Sequence, residues 1–320
     1  MNATGCVTTP AWIPDHSAVA CFRENPEAFR LKYRLHLSPA TPDDKIRAGS
    51  AIHAARNVLF TGGDTETAVA AARAVRGESG VWRNADHVER VVRAYAARYP
   101  RELEPFSVVE SEQYGEARIQ EHSCGCGFGV PHRDDCNGFT FCGILDAVIR
   151  FADGSEYVCD LKSTGAYLNT QWETAMGLSD QFVGYVALRR ALGHRCDGFY
   201  VDGVHMSDPK PRKDGSLGEA RVNAESDFVR FGPVRVPQWR IDRWARNMRY
   251  TLAQIAWLER EWGVDSPWPL YQNWSFGKVD AYREFYESPA ELHNEVAQLF
   301  ERKPWSPAEV AAERAEVTQK

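Results

Sequence analysis

The chain has 320 residues, of which 43% are hydrophobic and 26% charged, and its formal net charge is −6. These values are ordinary for a globular protein, and the sequence has no apolar run near the roughly 20 residues that a membrane span needs. The N-terminus lacks a basic segment followed by an apolar one, so we expect no secretion signal, no membrane association and a cytoplasmic location. The negative charge argues against a surface that is basic throughout.

The cysteines offer two interpretations. Eight cysteines without a signal sequence indicate reduced thiols or a metal site rather than disulfides. Three cysteines and one histidine lie within thirteen residues: Cys124, Cys126, His132 and Cys136. Either they form a structural Cys3His zinc site or the loop that carries them is flexible, and the sequence leaves both open. Four other cysteines are predicted to be small buried hydrophobic residues: Cys6, Cys142, Cys159 and Cys196.

Apolar spacing, capping residues and turn residues predict the elements in chain order. The predicted helices span 15–36 (interrupted at Pro26), about 42–59, 64–76, 84–99, 169–192 and 237–262. The predicted strands span 106–114, 139–151, 155–162, 199–201 and 228–231. Helices followed by strands with a helix between them predict a mixed α/β fold.

The most informative segment is the hairpin that the Asp153-Gly154 turn predicts. Its first strand contains Gly143-Ile144-Leu145-Asp146, and its second contains Asp160-Leu161-Lys162. Asp160 and Lys162 share one face of the strand, and Leu161 points into the core. Two converging carboxylates would bind a hard divalent cation beside the lysine. A solvated surface hairpin explains these residues equally well.

Two further motifs flank this hairpin. On a helix, Gly49 and His53 share one face, so a backbone or a ligand can approach beside the imidazole. Gln181 and Tyr185 lie one helical turn apart and can both bind phosphate or base. Taken alone, the first motif is more often a core or surface histidine and the second an ordinary amphipathic helix.

Together, these motifs resemble the RecB-like and Cas4-like branch of the PD-(D/E)XK nuclease superfamily. The pattern of that branch is GxxxH, GxxD, (D/E)xK and QxxxY, and all four occur in order across residues 49–185. Ser17 to Tyr33 is similar to the N-terminal helix of the family. Trp268-Pro269 and the segment from Phe276 to Arg283 are similar to its C-terminal segment. The resemblance implies a restriction-endonuclease-like core, with a central mixed sheet flanked by helices.

The resemblance also implies a role for each matching residue. Asp146 and Asp160 would bind Mg²⁺ or Mn²⁺ together with the Leu161 carbonyl, and His53 would be a further ligand. Lys162 would orient or help to deprotonate the attacking water, so that Asp146, Asp160 and Lys162 form the catalytic set. Gln181 and Tyr185 would organise the site and contact DNA. Glu110 and Glu112, on the preceding strand, are additional candidate acids.

One departure from the family concerns iron. Many relatives bind an iron–sulfur cluster through a cysteine before the proline of the N-terminal helix and three more near the C-terminus. Here Asn25 precedes Pro26, Cys21 lacks downstream partners, and no cysteine follows Cys196. We therefore expect no cluster of that type.

The predicted division of the chain is a single nuclease domain over residues 1–303. It has an N-terminal helical part (15–100), a catalytic core (105–205), a C-terminal helical part (237–303) and insertions at 115–138 and 207–226. Residues 304–320 are predicted to be a flexible tail.

The resulting hypothesis is a metal-dependent DNA nuclease, with exonuclease action favoured by analogy, in DNA recombination, repair or phage DNA processing. A helicase or recombinase partner is compatible with this function, and the sequence specifies no oligomeric state. Arginines, lysines and aromatic residues alternate between Lys210 and Tyr250, as either a DNA-binding rim or a solvated helix face. The alternative function is a catalytically silent nuclease fold that binds DNA or serves in an assembly. The retention of His53, Asp146, Asp160 and Lys162 disfavours it.

Overall fold

The structure of the chain is a computed structural model. It describes residues 12–39, 44–77, 83–120, 138–210, 212–214, 218–270, 281–288 and 293–319. The chain forms two compact units. The first contains Met1–Thr41, Glu116–Gly143 and Gln238–Pro307, and the second contains Pro42–Gly115, Ile144–Pro237 and Ala308–Lys320. The single domain over 1–303 stays a prediction.

The described residues form helices in both units. These are α1 (His16–Glu24), α2 (Pro26–Phe29), α3 (Asp44–Phe60), α4 (Thr65–Arg76), α5 (Ala85–Arg98), α6 (Thr170–Leu178), α7 (Asp180–Ala191), α8 (Gln238–Glu261), α9 (Arg283–Glu287), α10 (His293–Val296) and α11 (Pro307–Gln319). A π-helical turn over Arg30–Arg34 follows α2. Within the part of the chain that the structure describes, no helix is long and apolar enough to cross a membrane.

The strands are β1 (Leu37–Pro39), β2 (Phe106–Gln120), β3 (Gly138–Phe151), β4 (Glu156–Thr164), β5 (Gly198–His205), β6 (Phe228–Arg235) and β7 (Phe300–Arg302). Among the described residues, five of them form a sheet in the order β2-β3-β4-β5-β6. Strands β3 and β4 pair antiparallel, β4 and β5 pair parallel, and β5 and β6 pair antiparallel. The sheet is mixed and flanked by helices, which confirms the predicted α/β class. Strands β1 and β7, three residues each, form a separate small sheet in the first unit that the sequence did not indicate.

The predicted β3–β4 hairpin is confirmed. Its turn contains Gly154 at φ +79°, a conformation that glycine adopts without the steric cost of a side chain. Asp153 accepts hydrogen bonds from the backbone and hydroxyl of Ser155, which fixes the turn. Leu161 is fully buried in the second unit, beneath α3, α4 and α5. The opposite face of the sheet is covered by α7, where Phe182 packs on Phe199 at 5.0 Å between ring centroids.

One predicted helix is wrong. The segment 169–192 is not continuous, because Ser179 has φ −62° and ψ 126° and ends α6. The Ser179 hydroxyl then accepts a hydrogen bond from the Gln181 backbone N–H and caps α7, as serine commonly does. The break places Gln181 in the first turn of α7. The interruption at Pro26 is confirmed, since Asn25 has extended dihedrals and caps α2.

The first unit has an aromatic core. The rings of Phe29 and Trp268 are stacked at 6.0 Å, and Phe22 packs edge-on against both. Glu27 accepts two hydrogen bonds from Arg30 and one from the Trp268 backbone N–H. The N-terminal helical segment and the Trp268 segment, which the resemblance assigned to the two ends of the family fold, thus pack on each other.

Cysteine burial follows the prediction where the structure describes it. Cys142, Cys159 and Cys196 are buried and not in disulfides. Cys6 and the segment Cys124–Cys136 lie outside the described residues, as do Phe276, Gly277 and Lys278, so the zinc alternative stays open.

Candidate active site

Helix α3 contributes the first part of the site. A side chain at Gly49 would place its Cβ 2.9 Å from the Ser163 hydroxyl, so glycine permits α3 to pack closely against the end of β4. His53 lies one turn further along the same helix, and Arg56 follows it at the i+3 position. The close approach that the GxxxH motif suggested therefore brings two basic side chains to the sheet.

Asp146 on β3 is the point where these elements meet. Its Oδ2 lies 3.0 Å from His53 Nδ1 and 3.5 Å from Arg56 Nη2, and it accepts a hydrogen bond of 3.0 Å from the Leu161 backbone N–H. Burial acts to raise the pKa of Asp146, but His53, Arg56 and Lys162 outweigh burial and hold this pKa well below its ordinary value. Asp146 is therefore an anion in the folded protein.

A group that can hold a metal ion forms around Asp146. Within the described ranges, one ligand atom each from His53, Glu112 and Asp146 lies within 4.8 Å of the other two. Ligands of one octahedral ion at about 2.1 Å have mutual separations of this order. Two carboxylates and an imidazole are also donors that Mg²⁺ or Mn²⁺ accepts. The residues present fit a divalent cation.

Glu112 reaches the group through an unusual backbone. It lies in β2 with φ +49°, a left-handed conformation that non-glycine residues adopt at a cost and that often marks functional sites. Burial raises the pKa of Glu112, and the charge of Asp146 raises it further. Two residues earlier, Glu110 turns elsewhere and accepts hydrogen bonds of 2.5 and 2.8 Å from Arg189. Of the two candidate acids, only Glu112 belongs to this group.

Asp160 and Lys162 form an adjacent pair on β4. Lys162 Nζ lies 2.5 Å from Asp160 Oδ2, as expected for residues that share one face of a strand. Lys162 Nζ also lies 5.5 Å from the centre of the Phe182 ring on α7, a cation–π distance. Burial raises the pKa of Asp160, Lys162 offsets part of this increase, and the charge of Asp146 adds to it. The pKa of Asp146 is therefore lowered and that of Asp160 raised, so that Asp160 is the more readily protonated of the two aspartates.

The QxxxY residues approach Asp160 from α7. Gln181 Nε2 donates to Asp160 Oδ1 at 3.4 Å and to the Tyr185 hydroxyl at 3.0 Å. One amide thus connects a buried carboxylate to a phenol. This contact depends on the new helix start at Ser179, which sets the direction of Gln181.

Helix α11 adds a residue that no local motif indicates. Arg314 Nη1 lies 3.1 Å from Glu112 Oε2 and 3.6 Å from Asp146 Oδ1. A cavity of about 250 Å³ lies beside this contact and is lined by His53, Asn57, Glu112, Val310, Glu313 and Arg314, among others. The segment after Pro304, for which the sequence predicts a flexible tail, therefore contains a helix that covers the site. A larger cavity of about 540 Å³ elsewhere in this unit is lined by none of the predicted site residues.

A network of buried polar side chains lies next to Asp146. Arg56 lies between Asp146 and Asp202, with its Nη1 3.9 Å from Asp202 Oδ2. Asp202 on β5 also accepts hydrogen bonds from Tyr95 and Arg230. The buried Arg56 guanidinium thus lies beside two buried carboxylates and fixes their orientation.

The sequence-predicted residues are thus brought together in two neighbouring groups. His53 and Asp146 lie with Glu112; Asp160, Lys162, Gln181 and Tyr185 lie beside them. Sequence reasoning missed Arg56 and Arg314. The i+3 spacing from His53 could have indicated Arg56, whereas nothing local relates Arg314 to this site.

Comparison with known proteins bears on this arrangement. The family model of the PD-(D/E)XK nuclease superfamily matches residues 16–263, about three quarters of the chain. No curated protein matches the chain.

Proposed function

The chain belongs to the PD-(D/E)XK nuclease superfamily, and on this basis we propose that it is a divalent-metal-dependent deoxyribonuclease. The observation that carries the proposal is the convergence of His53, Glu112 and Asp146 beside the Asp160–Lys162 pair. Carboxylates and an imidazole can hold a divalent cation, and a lysine ammonium beside them can stabilise charge on a phosphodiester.

The metal ligands in this proposal are His53, Glu112, Asp146 and Asp160, with the Leu161 carbonyl as the resemblance implies. The ion is Mg²⁺ or Mn²⁺, which superfamily members use. When bound, it would lower the pKa of a coordinated water and offset negative charge on the phosphate. A cation in contact with both Asp146 and Asp160 would keep both carboxylates ionised.

The other residues position groups around the ion. Lys162, held by Asp160, orients the attacking water and stabilises charge on the phosphate as a point charge. Gln181 fixes the Asp160 carboxylate through its amide and leaves the Tyr185 hydroxyl within reach of the DNA backbone. Asp146, Asp160 and Lys162 are the proposed catalytic residues.

The finer assignment follows from the order of the four motifs. We place the chain in the RecB-like and Cas4-like branch, with exonuclease action in recombination, repair or phage DNA processing and a helicase or recombinase as a partner. This branch often processes DNA ends, which is why exonuclease action is favoured.

The test uses two DNA substrates of the same sequence, one end-labelled and linear, the other a closed circle. With Mg²⁺ or Mn²⁺ we expect the linear DNA to be degraded and the circle to persist. Asp160→Ala and Lys162→Ala should abolish degradation, and chelation of the metal should do the same. Cleavage of the circle would replace exonuclease with endonuclease action. Equal activity in wild type and both variants would reject the proposed site, and DNA binding without turnover would support the silent alternative.

A further inference from the structure

The long helix α8 in the first unit has two very different faces. Its buried face consists of Ile241, Trp244, Ala245, Met248, Thr251, Leu252, Ile255 and Leu258. Its solvent face carries three large aromatic side chains, with Trp239 62%, Tyr250 68% and Trp257 48% exposed. Solvent faces of amphipathic helices are normally polar, so these exposed rings need an explanation.

The exposed rings alternate with arginines along one line. At about 100° per residue, Trp239, Arg243, Arg246, Tyr250 and Trp257 fall within about 60° of arc, opposite the buried face. From Trp239 to Trp257 this α8 stripe is about 27 Å long. The basic and aromatic segment from Lys210 to Tyr250, which the sequence indicated as a candidate DNA-binding rim, therefore contains two kinds of residue. Phe228 and Trp244 are core residues, and Arg230 is paired with Glu104 and Asp202, whereas the stripe faces solvent.

The charge of the stripe indicates its occupant. In a chain with a net charge of −6, the first half of α8 carries arginines at positions 240, 243, 246 and 249 and a single acid, Asp242. A second copy that paired stripe against stripe would bring no acidic side chain to Arg243 and Arg246, because the stripe contains none. A polyanion that itself carries exposed aromatic rings complements the stripe in two ways. Its negative charge matches the arginines, and its rings can stack on the aromatic side chains.

We propose that the α8 stripe binds single-stranded DNA, an inference that rests on the proposed nuclease function. Trp239, Tyr250 and Trp257 stack on bases, and Arg243 and Arg246 contact phosphates. Stacking requires unpaired bases, which a duplex does not offer, so the stripe selects single strands or frayed ends over duplex DNA.

The test measures the affinity of the full chain for a fluorescent oligothymidylate of thirty nucleotides, by anisotropy, with metal chelated to prevent cleavage. The double variant Trp239→Ala/Trp257→Ala should weaken binding by at least about tenfold, because it removes two side chains that stack on bases. Trp262→Ala is the matched control, because Trp262 is 44% exposed and follows the end of α8, outside the stripe. It should bind as the wild type does.

The arginines are tested through salt. Arg243→Ala/Arg246→Ala should lower the slope of log affinity against log salt concentration by about 1.4, the value for two phosphate contacts on a single strand. Arg243→Lys/Arg246→Lys should retain the wild-type slope. Unchanged unfolding midpoints in all variants would show that the substitutions act on the surface.

Each of the following results would overturn the stripe proposal. If the variants bind the oligonucleotide as wild type does, the stripe proposal is overturned. If wild type cleaves DNA but does not bind single strands, the stripe proposal fails and the nuclease function stands. If wild type neither cleaves nor binds DNA, both fail. If the tryptophan variant converts a dimer into a monomer at unchanged DNA affinity, the stripe is a self-interface and the proposal is overturned.

Discussion

The guanidinium of Arg314 on α11 lies 3.1 Å from the carboxylate of Glu112 and 3.6 Å from that of Asp146. A cation thus contacts two of the three residues that can hold a metal ion. Glu112 and Asp146 would otherwise face each other as like charges. Arg314 therefore compensates their repulsion in the metal-free protein, and a divalent ion would have to displace it or share the carboxylates with it.

Replacing Arg314 should consequently tighten metal binding. We expect Arg314→Ala to bind Mn²⁺ about fivefold more tightly in titration calorimetry, corresponding to about 1 kcal/mol for a partly exposed ion pair. Arg314→Lys, which keeps the charge, should remain close to wild type. Weaker Mn²⁺ binding by Arg314→Ala would mean that Arg314 organises the ligands instead of competing with the ion.

Glu110 and Glu112 provide a matched pair of substitutions two residues apart. Glu112→Gln removes a proposed ligand and should weaken Mn²⁺ binding by at least roughly tenfold. Glu110→Gln breaks a hydrogen-bonded pair with Arg189, so it should lower the melting temperature and leave Mn²⁺ affinity unchanged. Equal losses of Mn²⁺ affinity in the two variants would show that Glu112 has no special place in the site.

A substitution at Gly49 tests whether the first motif begins with glycine because α3 packs closely on β4. Gly49→Ala puts a methyl group 2.9 Å from the Ser163 hydroxyl and should lower the free energy of unfolding by about 1 kcal/mol. Adding Ser163→Ala removes the clash, and since alanine is the better helix former, the double variant should regain at least the lost stability. Urea unfolding of the single and double variants measures this. A double variant no more stable than the single variant would contradict the close packing of α3 on β4.

His87 on α5 predicts a pH dependence of stability. The side chain is 2% exposed, and neither ring nitrogen has a hydrogen-bond partner among the described residues. Burial, with Arg90 and Arg83 nearby, lowers its pKa from 6.5 to about 4. Between these values the unfolded chain binds a proton that the folded chain does not, so the free energy of unfolding decreases as the pH falls from 6.5 to 4.

The size of this effect is at most roughly 3 kcal/mol. His87→Leu cannot titrate, so the stability of the variant relative to wild type should increase between about pH 7 and about pH 4.5 in urea unfolding. A difference that does not change with pH would show that His87 has the same pKa in the folded and the unfolded chain.

The fold could be predicted largely because its signals are local. The Asp153-Gly154 turn indicated the β3–β4 hairpin, and apolar spacing with capping and turn residues indicated the helices. The helix break at Ser179 was missed, since apolar spacing continues through it and a serine tolerates both helical and extended backbone. Strands β1 and β7 were missed because three residues carry too little pattern.

The candidate site likewise contains residues that the sequence predicted and residues that it did not. His53, Asp146, Asp160 and Lys162 were predicted because each belongs to a short motif whose order is itself informative. Glu112 was only one of two acids on a strand, and its selection over Glu110 depends on a positive φ that the sequence does not reveal. Arg314 is about two hundred residues from Glu112 along the chain, and its contact is a product of tertiary packing alone.

The most direct test of the central claim is the rate of linear DNA degradation at saturating Mg²⁺ by wild type and by Asp146→Asn. This substitution keeps the size of the side chain but removes the charge on which His53, Arg56 and the proposed ion converge. We predict Mg²⁺-dependent degradation by wild type, none with chelator, and a loss of at least about a thousandfold in the variant, as for the removal of a group central to charge stabilisation. Degradation by wild type with chelator present, or by Asp146→Asn at the wild-type rate, would contradict the account.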